Sequence, residues 1–250
     1  MLFDAAWTRP NALHWLRMKS FRSDPGVVDE VLKSQNISQL SAVFVTHTHF
    51  DHCVDAPVVA GQTGAVLYVS KSMRRIAEAY KDPKIKLSEL KTVQIGKFKI
   101  SVFPRVHSDI LGMFKFADGT VPKDFDFAFY DYKVGESWIY LVEHPDGKIL
   151  IDTSGDANLT DIPKGLKVDV VFQGVANRKD NDAITNGYVK ALAPKKFIAS
   201  HFDPFMLSFK PGPQEVMGNV DFPGLQKHFK EFAPDTEFII PEFGKPIPLF

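Results

Sequence analysis

Residues 41–52 read Ser-Ala-Val-Phe-Val-Thr-His-Thr-His-Phe-Asp-His, and the two halves of this segment differ in character. Its first half is a short apolar run rich in β-branched residues, which is typical of a buried strand. Its second half places four potential metal ligands in one loop. Because side chains two apart on extended backbone point to the same side, His47, His49 and Asp51 can converge, and a turn is needed to bring His52 round.

The residue types of this loop indicate a metal site. Imidazole nitrogen and carboxylate oxygen are ligands that borderline divalent metals such as Zn²⁺ accept, and a strand end provides a rigid base for them. The chain of 250 residues contains eight His and one Cys. A single Cys excludes an internal disulfide framework and an all-thiolate zinc site, so any metal is expected to be held mainly by His and carboxylate.

Three further potential ligands have the same placement along the chain. His107, Asp152 and His201 each come directly after an apolar run that predicts a strand. Ligands and catalytic groups in α/β folds cluster at strand ends, where loops can converge. An isolated His is more often a core or surface residue, so each position is weak evidence alone, whereas the set is strong evidence.

The remaining sequence interleaves strands and helices, which predicts an α/β fold with two sheets covered by helices. Strands are predicted over 41–46, 65–70, 93–95, 98–103, 138–143, 148–151, 168–172, 197–200 and 237–240. Helices are predicted over 27–33, 57–61, 70–80 and 182–192. No repeat or linker divides the chain, so we expect one domain over residues 1–250, with loop-rich segments at 108–136 and 202–224.

Composition limits the function classes. Thirty basic and thirty acidic residues give a formal net charge of zero, which disfavours nucleic acid as a partner and favours a small-molecule substrate. No apolar stretch is long enough to span a membrane, and the first residues lack a secretory signal, so stable membrane insertion is not expected and the default localisation is cytoplasmic. The oligomeric state is not determined by these features.

The seven candidate ligands and the strands before them resemble the metallo-β-lactamase superfamily. Its pattern is HxHxDH, then a His, an Asp and a final His, each after a strand. Segments 47–57, 150–156 and 195–205 look most like the broad group of metal-dependent hydrolases that also contains lactonases and phosphodiesterase-type enzymes. The resemblance implies a four-layer αβ/βα sandwich with a binuclear metal centre between its two β-sheets.

The resemblance also implies a role for each ligand. His47, His49 and His107 would hold one metal, Asp51, His52 and His201 the other, and Asp152 would bridge them. Zn²⁺ is the first expectation for both ions, with Mn²⁺ or Fe²⁺ as alternatives, and no organic cofactor is expected. Oxygen-reducing di-iron members typically carry Glu where this chain has His49, which disfavours a redox reaction.

The implied reaction is hydrolysis by a hydroxide bound to both metals, which would cleave an ester, lactone or phosphodiester bond. Asp51 and Asp152 are the candidate catalytic carboxylates, and Asp51 could also orient the hydroxide and carry a proton to the leaving group. The alternatives are a β-lactamase-type amide hydrolase and a non-catalytic metal-binding or interaction protein with the same fold. A structural zinc needs only four protein ligands, so the full set argues against the last reading.

The first residues depart from the family pattern. Family members usually have two or more strands before a strand that ends like Leu2-Phe3-Asp4. Either the first sheet is shortened, so that the fold lacks its first strands, or the beginning of the chain is missing. In the second case a targeting signal is missing too, and the protein would be exported.

Residues near the ligands have weaker indications. Cys53 is expected to be a small buried hydrophobe rather than a ligand or reactive thiol. Asp55 could accept a hydrogen bond from a metal-bound His or cap the helix that follows it. Four arginines could bind an anionic group, although surface solvation is the default expectation for each of them: Arg9, Arg17, Arg105 and Arg178.

Segment 108–136 is rich in aromatic residues, which has two explanations. The default is that they fill a local core, and the alternative is that some line an apolar pocket beside the metals. The members concerned are Leu111, Met113, Phe114, Phe116, Phe125, Phe127, Phe129, Tyr130 and Tyr132. From them we expect a substrate with an apolar part.

Overall fold

The computed structural model describes residues 1–10, 20–108, 117–153, 159–176, 180–207, 209 and 212–250. These residues form two compact units, and each unit carries one β-sheet with helices. The first unit comprises 1–91, 109–137 and 205–210, and the second comprises 92–108, 138–204 and 211–250. The α/β class is therefore confirmed, while the single domain over 1–250 stays a prediction.

The sheet of the first unit has four parallel strands in chain order. They are β1 (Leu2–Phe3), β2 (Ala42–Phe44), β3 (Val66–Val69) and β4 (Lys86–Glu89). Every residue of β2 is buried, as its run of apolar residues predicted. Since the strands are parallel, their carboxyl ends share one edge of the sheet, and the chain leaves β2 at that edge toward His47.

The helices of the first unit start where side chains satisfy their first backbone N–H groups. Asp24 accepts from the amides of Gly26 and Val27 at the start of the first helix, and Ser70 accepts from Met73 at the start of the fourth. The helices are α1 (Pro25–Ser34), α2 (Phe50–Cys53), α3 (Ala56–Thr63) and α4 (Lys71–Ala79).

Aromatic side chains from the predicted loop-rich segment fill the core of the first unit. Phe125, Phe127, Phe129 and Tyr132 are all buried there, and the Tyr132 hydroxyl donates to the carbonyl of Phe21 at 2.9 Å. The default explanation, a local core, is thus confirmed for these four residues. Four others of the set, namely Leu111, Met113, Phe114 and Phe116, lie outside the described residues.

The sheet of the second unit has seven strands, namely β5 (Val93–Ile95), β6 (Phe98–Arg105), β7 (Ser137–His144), β8 (Gly147–Asp152), β9 (Val170–Gly174), β10 (Lys196–Ser200) and β11 (Glu237–Ile239). Their order in the sheet is β11-β10-β9-β8-β7-β6-β5. Neighbours from β8 to β11 are parallel, while β5 pairs with β6 and β7 with β8 in antiparallel fashion. The carboxyl ends of β8, β9 and β10 therefore meet at one edge.

Helical structure in the second unit begins with a π-helical stretch, Ala183–Val189, which continues into α5 (Lys190–Leu192). This region was predicted as a helix. The helix α6 (Phe222–Phe232) was not, because its first turn contains a Pro and a Gly that favour a loop. Asp221 accepts from the amide of Gly224 and so starts α6, which buries Phe222, Leu225 and Phe229.

All helices in the described parts of the chain are short. The longest of them, α6, has 11 residues. No helix in these parts has both the length and the apolar character needed to cross a membrane.

Candidate metal centre

Strand β2 delivers the predicted ligand loop to the carboxyl edge of its sheet, and the loop folds back on itself there. His47 Nε2 lies 3.0 Å from His49 Nδ1. The ring centroids of His47 and His52 are 3.9 Å apart, and Asp51 Oδ2 lies 3.9 Å from His52 Nε2. Within the first unit, the four side chains converge as the sequence predicted.

The turn that brings His52 to the other ligands is the short helix α2. His49 precedes this helix in extended conformation, and its carbonyl accepts from the amides of His52 and Cys53 at 3.0 and 3.1 Å. His49 and His52 therefore lie on successive turns of backbone. A purely extended loop would have sent His52 to the opposite side.

Asp4 contacts the ligand loop, and the sequence reasoning assigned it no role. Its Oδ2 accepts from His52 Nδ1 at 2.9 Å and from the Thr46 hydroxyl at 2.7 Å, and its Oδ1 accepts from the Thr46 amide at 2.7 Å. Although burial opposes a charged imidazole, the carboxylates of Asp4 and Asp51 outweigh it and raise the pKa of His52. Asp4 directly follows strand β1, and this strand-end position is the signal that could have revealed it.

Hydrogen bonds around the rings of His47 and His49 decide which nitrogen of each ring carries the proton. Thr46 gives its hydroxyl proton to Asp4, so its oxygen accepts from His47 Nδ1 at 3.1 Å. The carbonyl of Ala117 can only accept, so His49 Nε2 donates to it at 3.2 Å. His47 Nε2 and His49 Nδ1, which face each other, then both present lone pairs in the neutral rings.

This arrangement fits a bound metal ion. Two lone pairs that face each other at 3.0 Å repel, and a cation coordinated by both nitrogens removes that repulsion. His52 follows the same logic, because donation of Nδ1–H to Asp4 leaves Nε2 as its ligand atom. Hydrogen bonding to a ligand's other nitrogen is the usual way in which proteins orient metal-binding His residues.

In the second unit, three predicted ligands lie at the end of a strand or shortly after one. His107 comes shortly after β6, and its Nδ1 donates to the carbonyl of Ser108 at 2.7 Å, which leaves Nε2 as the ligand atom. Asp152 ends β8 and is fully buried. His201 follows β10 with a left-handed backbone, φ 53°. Because β8 and β10 both pair in parallel with β9, Asp152 and His201 lie at the same edge of the sheet.

Arg105 is buried, so its prediction as a solvated surface residue is wrong. Its Nη2 lies 2.9 Å from Asp152 Oδ2, and its Nη1 lies 3.5 Å from Asp161 Oδ2. The Tyr188 hydroxyl also donates to Asp152 Oδ2, at 3.0 Å. Burial and the neighbouring Asp152 carboxylate raise the pKa of the Tyr188 phenol, which therefore remains a donor. Two other arginines considered above, Arg17 and Arg178, lie outside the described residues.

Asp55 lies at the N-cap position of α3, but its carboxylate bonds to other parts of the chain. Its carboxylate accepts from the amides of Trp7 and Thr8 and from the hydroxyls of Thr8 and Ser23, at 2.5 to 2.7 Å. It makes no side-chain cap to α3, and the bonds above involve no His. Burial raises the pKa of Asp55 despite these four donors. The carboxylate of Asp55 therefore anchors the chain that follows β1.

Cys53 is a buried hydrophobe, as predicted. It has no exposed surface, and its Sγ donates to the Thr48 carbonyl at 3.5 Å. Burial, together with the nearby carboxylates of Asp51 and Asp4, raises the pKa of the thiol well above its usual value. The nucleophilic thiolate is therefore disfavoured.

Comparison with known proteins gives a family match for the first part of the chain. The model of the Metallo-beta-lactamase superfamily matches residues 1–107, which include the loop at 47–52. The comparison with curated proteins gave no match. The match confirms the resemblance that the sequence pattern indicated.

Solved structures with this fold are similar over most of the chain. The metallo-β-lactamase fold protein YhfI from Bacillus subtilis is 15% identical, with a TM-score of 0.52 over 90% of this chain and 83% of that one. The isothiocyanate hydrolase from Delia radicum gut bacteria is 17% identical, with a TM-score of 0.51 over 87% and 80%. The metallo hydrolase Igni18 from Ignicoccus hospitalis KIN4/I is 16% identical, with a TM-score of 0.50 over 84% and 79%. At these identities the likeness shows the fold, and it confirms the predicted fold class.

Proposed function

We propose that this protein hydrolyses an ester, lactone or phosphodiester bond with two divalent metal ions. The support is the match to the metallo-β-lactamase superfamily and the similarity of the chain to a solved metallo hydrolase. The observation that carries the proposal is the 3.0 Å distance between His47 Nε2 and His49 Nδ1. Each ring keeps its proton on its other nitrogen, so both nitrogens are prepared for a metal.

The proposed ligands are drawn from both units. His47, His49 and His107 would hold one metal ion, Asp51, His52 and His201 the second, and Asp152 would bridge them. The support is the order of the residues along the chain and their placement at strand ends within each unit. We propose Zn²⁺ for both positions because imidazole and carboxylate are ligands that it accepts.

When bound, two such ions supply Lewis-acid polarisation of the scissile group and a water that ionises near neutral pH. Asp51 would accept a proton from the attacking water and pass it to the leaving group. Its side chain is 7% exposed, and it lies 3.9 Å from His52 Nε2. A carboxylate in this position is shielded from bulk water yet close to a metal-ligand atom.

The proposed substrate is a small molecule with an apolar part. Val106 directly precedes His107 and exposes 70% of its surface, which would allow apolar contact next to a proposed ligand. The net charge of zero disfavours nucleic acid, because neutralising a phosphate backbone requires an excess of basic side chains.

The proposal is tested with elemental analysis and a panel of chromogenic esters, lactones, phosphodiesters and β-lactams. We expect about two equivalents of transition metal and turnover that a chelator abolishes. Asp51→Asn is expected to lower kcat by roughly 100-fold or more, because a general acid–base group contributes at least that much. Asp29→Asn is the matched control, since Asp29 forms an exposed ion pair with Lys33.

The outcomes separate the alternatives. Less than one equivalent of metal after incubation with Zn²⁺ or Mn²⁺ would contradict the binuclear site. Two equivalents without turnover on any substrate would favour a metal-binding protein, and turnover on β-lactams alone would favour an amide hydrolase.

A further inference from the structure

We propose that Arg105 and Tyr188 are positioning residues that hold Asp152 in the orientation in which it serves both metal ions, with Asp161 balancing the charge of Arg105. The inference rests on the proposed function, because it takes Asp152 as the bridging ligand. It assigns a role to side chains that the ligand pattern does not include.

The contacts converge on a single oxygen. Arg105 Nη2 lies 2.9 Å from Asp152 Oδ2, and the Tyr188 hydroxyl donates to the same oxygen at 3.0 Å. The side chains of Arg105 and Asp152 have no exposed surface, and Tyr188 is fully buried. Two donors on Oδ2 fix the rotation of the carboxylate about its last bond. The orientation of the Asp152 carboxylate would then be set before any metal binds.

Asp161 has a second role in the same network. Its Oδ2 lies 3.5 Å from Arg105 Nη1 and accepts from the Val106 amide at 3.1 Å. The Arg105 guanidinium thus connects the end of β8 with the segment that leads into His107. One side chain therefore links the proposed ligand Asp152 to the backbone just before a second proposed ligand, His107.

The charges explain why two carboxylates are needed. A guanidinium beside a metal-binding carboxylate would by itself weaken the attraction for a dication. Arg105 together with Asp161 is neutral, so Asp152 still contributes a full negative charge. The planar guanidinium can contact both carboxylates at once, whereas a Lys ammonium is a single point of charge.

A purely structural ion pair is the alternative explanation. Removing either partner of a buried ion pair is strongly destabilising, so loss of activity in Arg105→Ala would not distinguish the two. Tyr188→Phe keeps the shape of the buried ring and removes only the donor to Asp152. Arg105→Lys keeps the charge and removes the double contact. Lys99→Met is the control, because Lys99 lies on the same strand and forms an exposed ion pair with Glu143.

The experiment measures Zn²⁺ affinity by competition with a chromogenic chelator, the visible absorption of the Co²⁺-loaded protein, and urea unfolding of the metal-free protein. We expect Tyr188→Phe and Arg105→Lys to weaken binding of at least one Zn²⁺ by about 10- to 100-fold and to change the Co²⁺ spectrum. We expect Lys99→Met to match the unmodified protein in Zn²⁺ affinity and in the Co²⁺ spectrum.

Two results would overturn the inference in different ways. If the unmodified protein binds two Zn²⁺ ions and both variants keep its affinity and Co²⁺ spectrum, while unfolding at lower urea, the contacts are structural only and the proposed function stands. If the unmodified protein binds no Zn²⁺, the proposed function fails and this inference fails with it.

Discussion

Asp4 connects the short strand β1 to the ring of His52, and its carboxylate decides which nitrogen of that ring carries the proton. Three hydrogen atoms point at its two oxygens, from the Thr46 amide, the Thr46 hydroxyl and His52 Nδ1. Asp4 has a left-handed backbone, φ 53°, a conformation that Asp and Asn tolerate better than most residues. Asn at this position would therefore keep the backbone but have one accepting oxygen for three donors.

We predict that Asp4→Asn lowers the affinity for at least one Zn²⁺ by about 10- to 100-fold, because the partner that orients a metal-binding His is lost. Equilibrium dialysis against buffered Zn²⁺ measures this, with Asp29→Asn as the control. Unchanged affinity in Asp4→Asn would show that His52 keeps its orientation without the carboxylate.

Arg105 illustrates which residue-scale features the sequence could not predict. The ligands at 47–52 were predictable because strand, loop and metal-binding residue types lie within twelve positions of one another. The burial of Arg105 depends on Asp152 and Asp161, which are far away along the chain and come close only after the sheet has formed. A charged side chain in isolation is expected at the surface.

Among the elements, buried strands were easier to predict than a polar strand at the edge of a sheet. The buried strands β2, β9 and β10 each contain an apolar run, and such runs identify strands directly. Strand β4 was not predicted because its sequence, Lys-Leu-Ser-Glu, is polar and partly exposed at the edge of its sheet. Its structure depends on pairing with β3, which a local pattern does not reveal.

Asp169 forms hydrogen bonds that link the beginnings of the parallel strands β8, β9 and β10. It lies at the amino ends of these strands, whereas Asp152 lies at a carboxyl end. Its carboxylate accepts from the Lys195 ammonium and from the Lys148 amide, both at 2.9 Å. The bond from Lys195, followed by that from Lys148, lowers the pKa of Asp169. Since the pKa is lower in the folded state, the stabilisation is present above the unfolded-state pKa of about 3.9 and is lost as the pH falls through the folded-state pKa.

We predict that Asp169→Asn lowers the free energy of unfolding by about 1 kcal/mol at pH 7, and by less at pH 3, where the native carboxylate is increasingly protonated. Urea unfolding at both pH values measures the difference. Glu242→Gln, which removes an exposed ion pair with Lys245, is the control. An equal loss at both pH values would contradict the role of the charge.

For the molecule as a whole, binding of metal to the native state is expected to raise its stability. At a free Zn²⁺ concentration 100 times the dissociation constant, the gain is about 2.7 kcal/mol for one site. In a chain of 250 residues this corresponds to a rise in Tm of about 5 to 10 °C.

We predict that chelation lowers Tm by this amount and that Zn²⁺ restores it, as measured by scanning calorimetry. Because the proposed ligands come from both units, hydrogen exchange should slow in β2 and in β10 when Zn²⁺ is added. Slower exchange in β2 alone would mean that His107 and His201 are not ligands. Addition of Mg²⁺, which prefers oxygen ligands, is the control.

The left-handed backbone of His201 has a consequence for how variants of this protein would diversify. For a residue with a side chain, this backbone conformation costs about 1 to 2 kcal/mol of conformational free energy, whereas glycine has no such cost. Selection for heat resistance alone would thus enrich glycine at position 201, whereas selection for turnover would retain the imidazole. The residue found there in an evolved library would report which of the two pressures had acted.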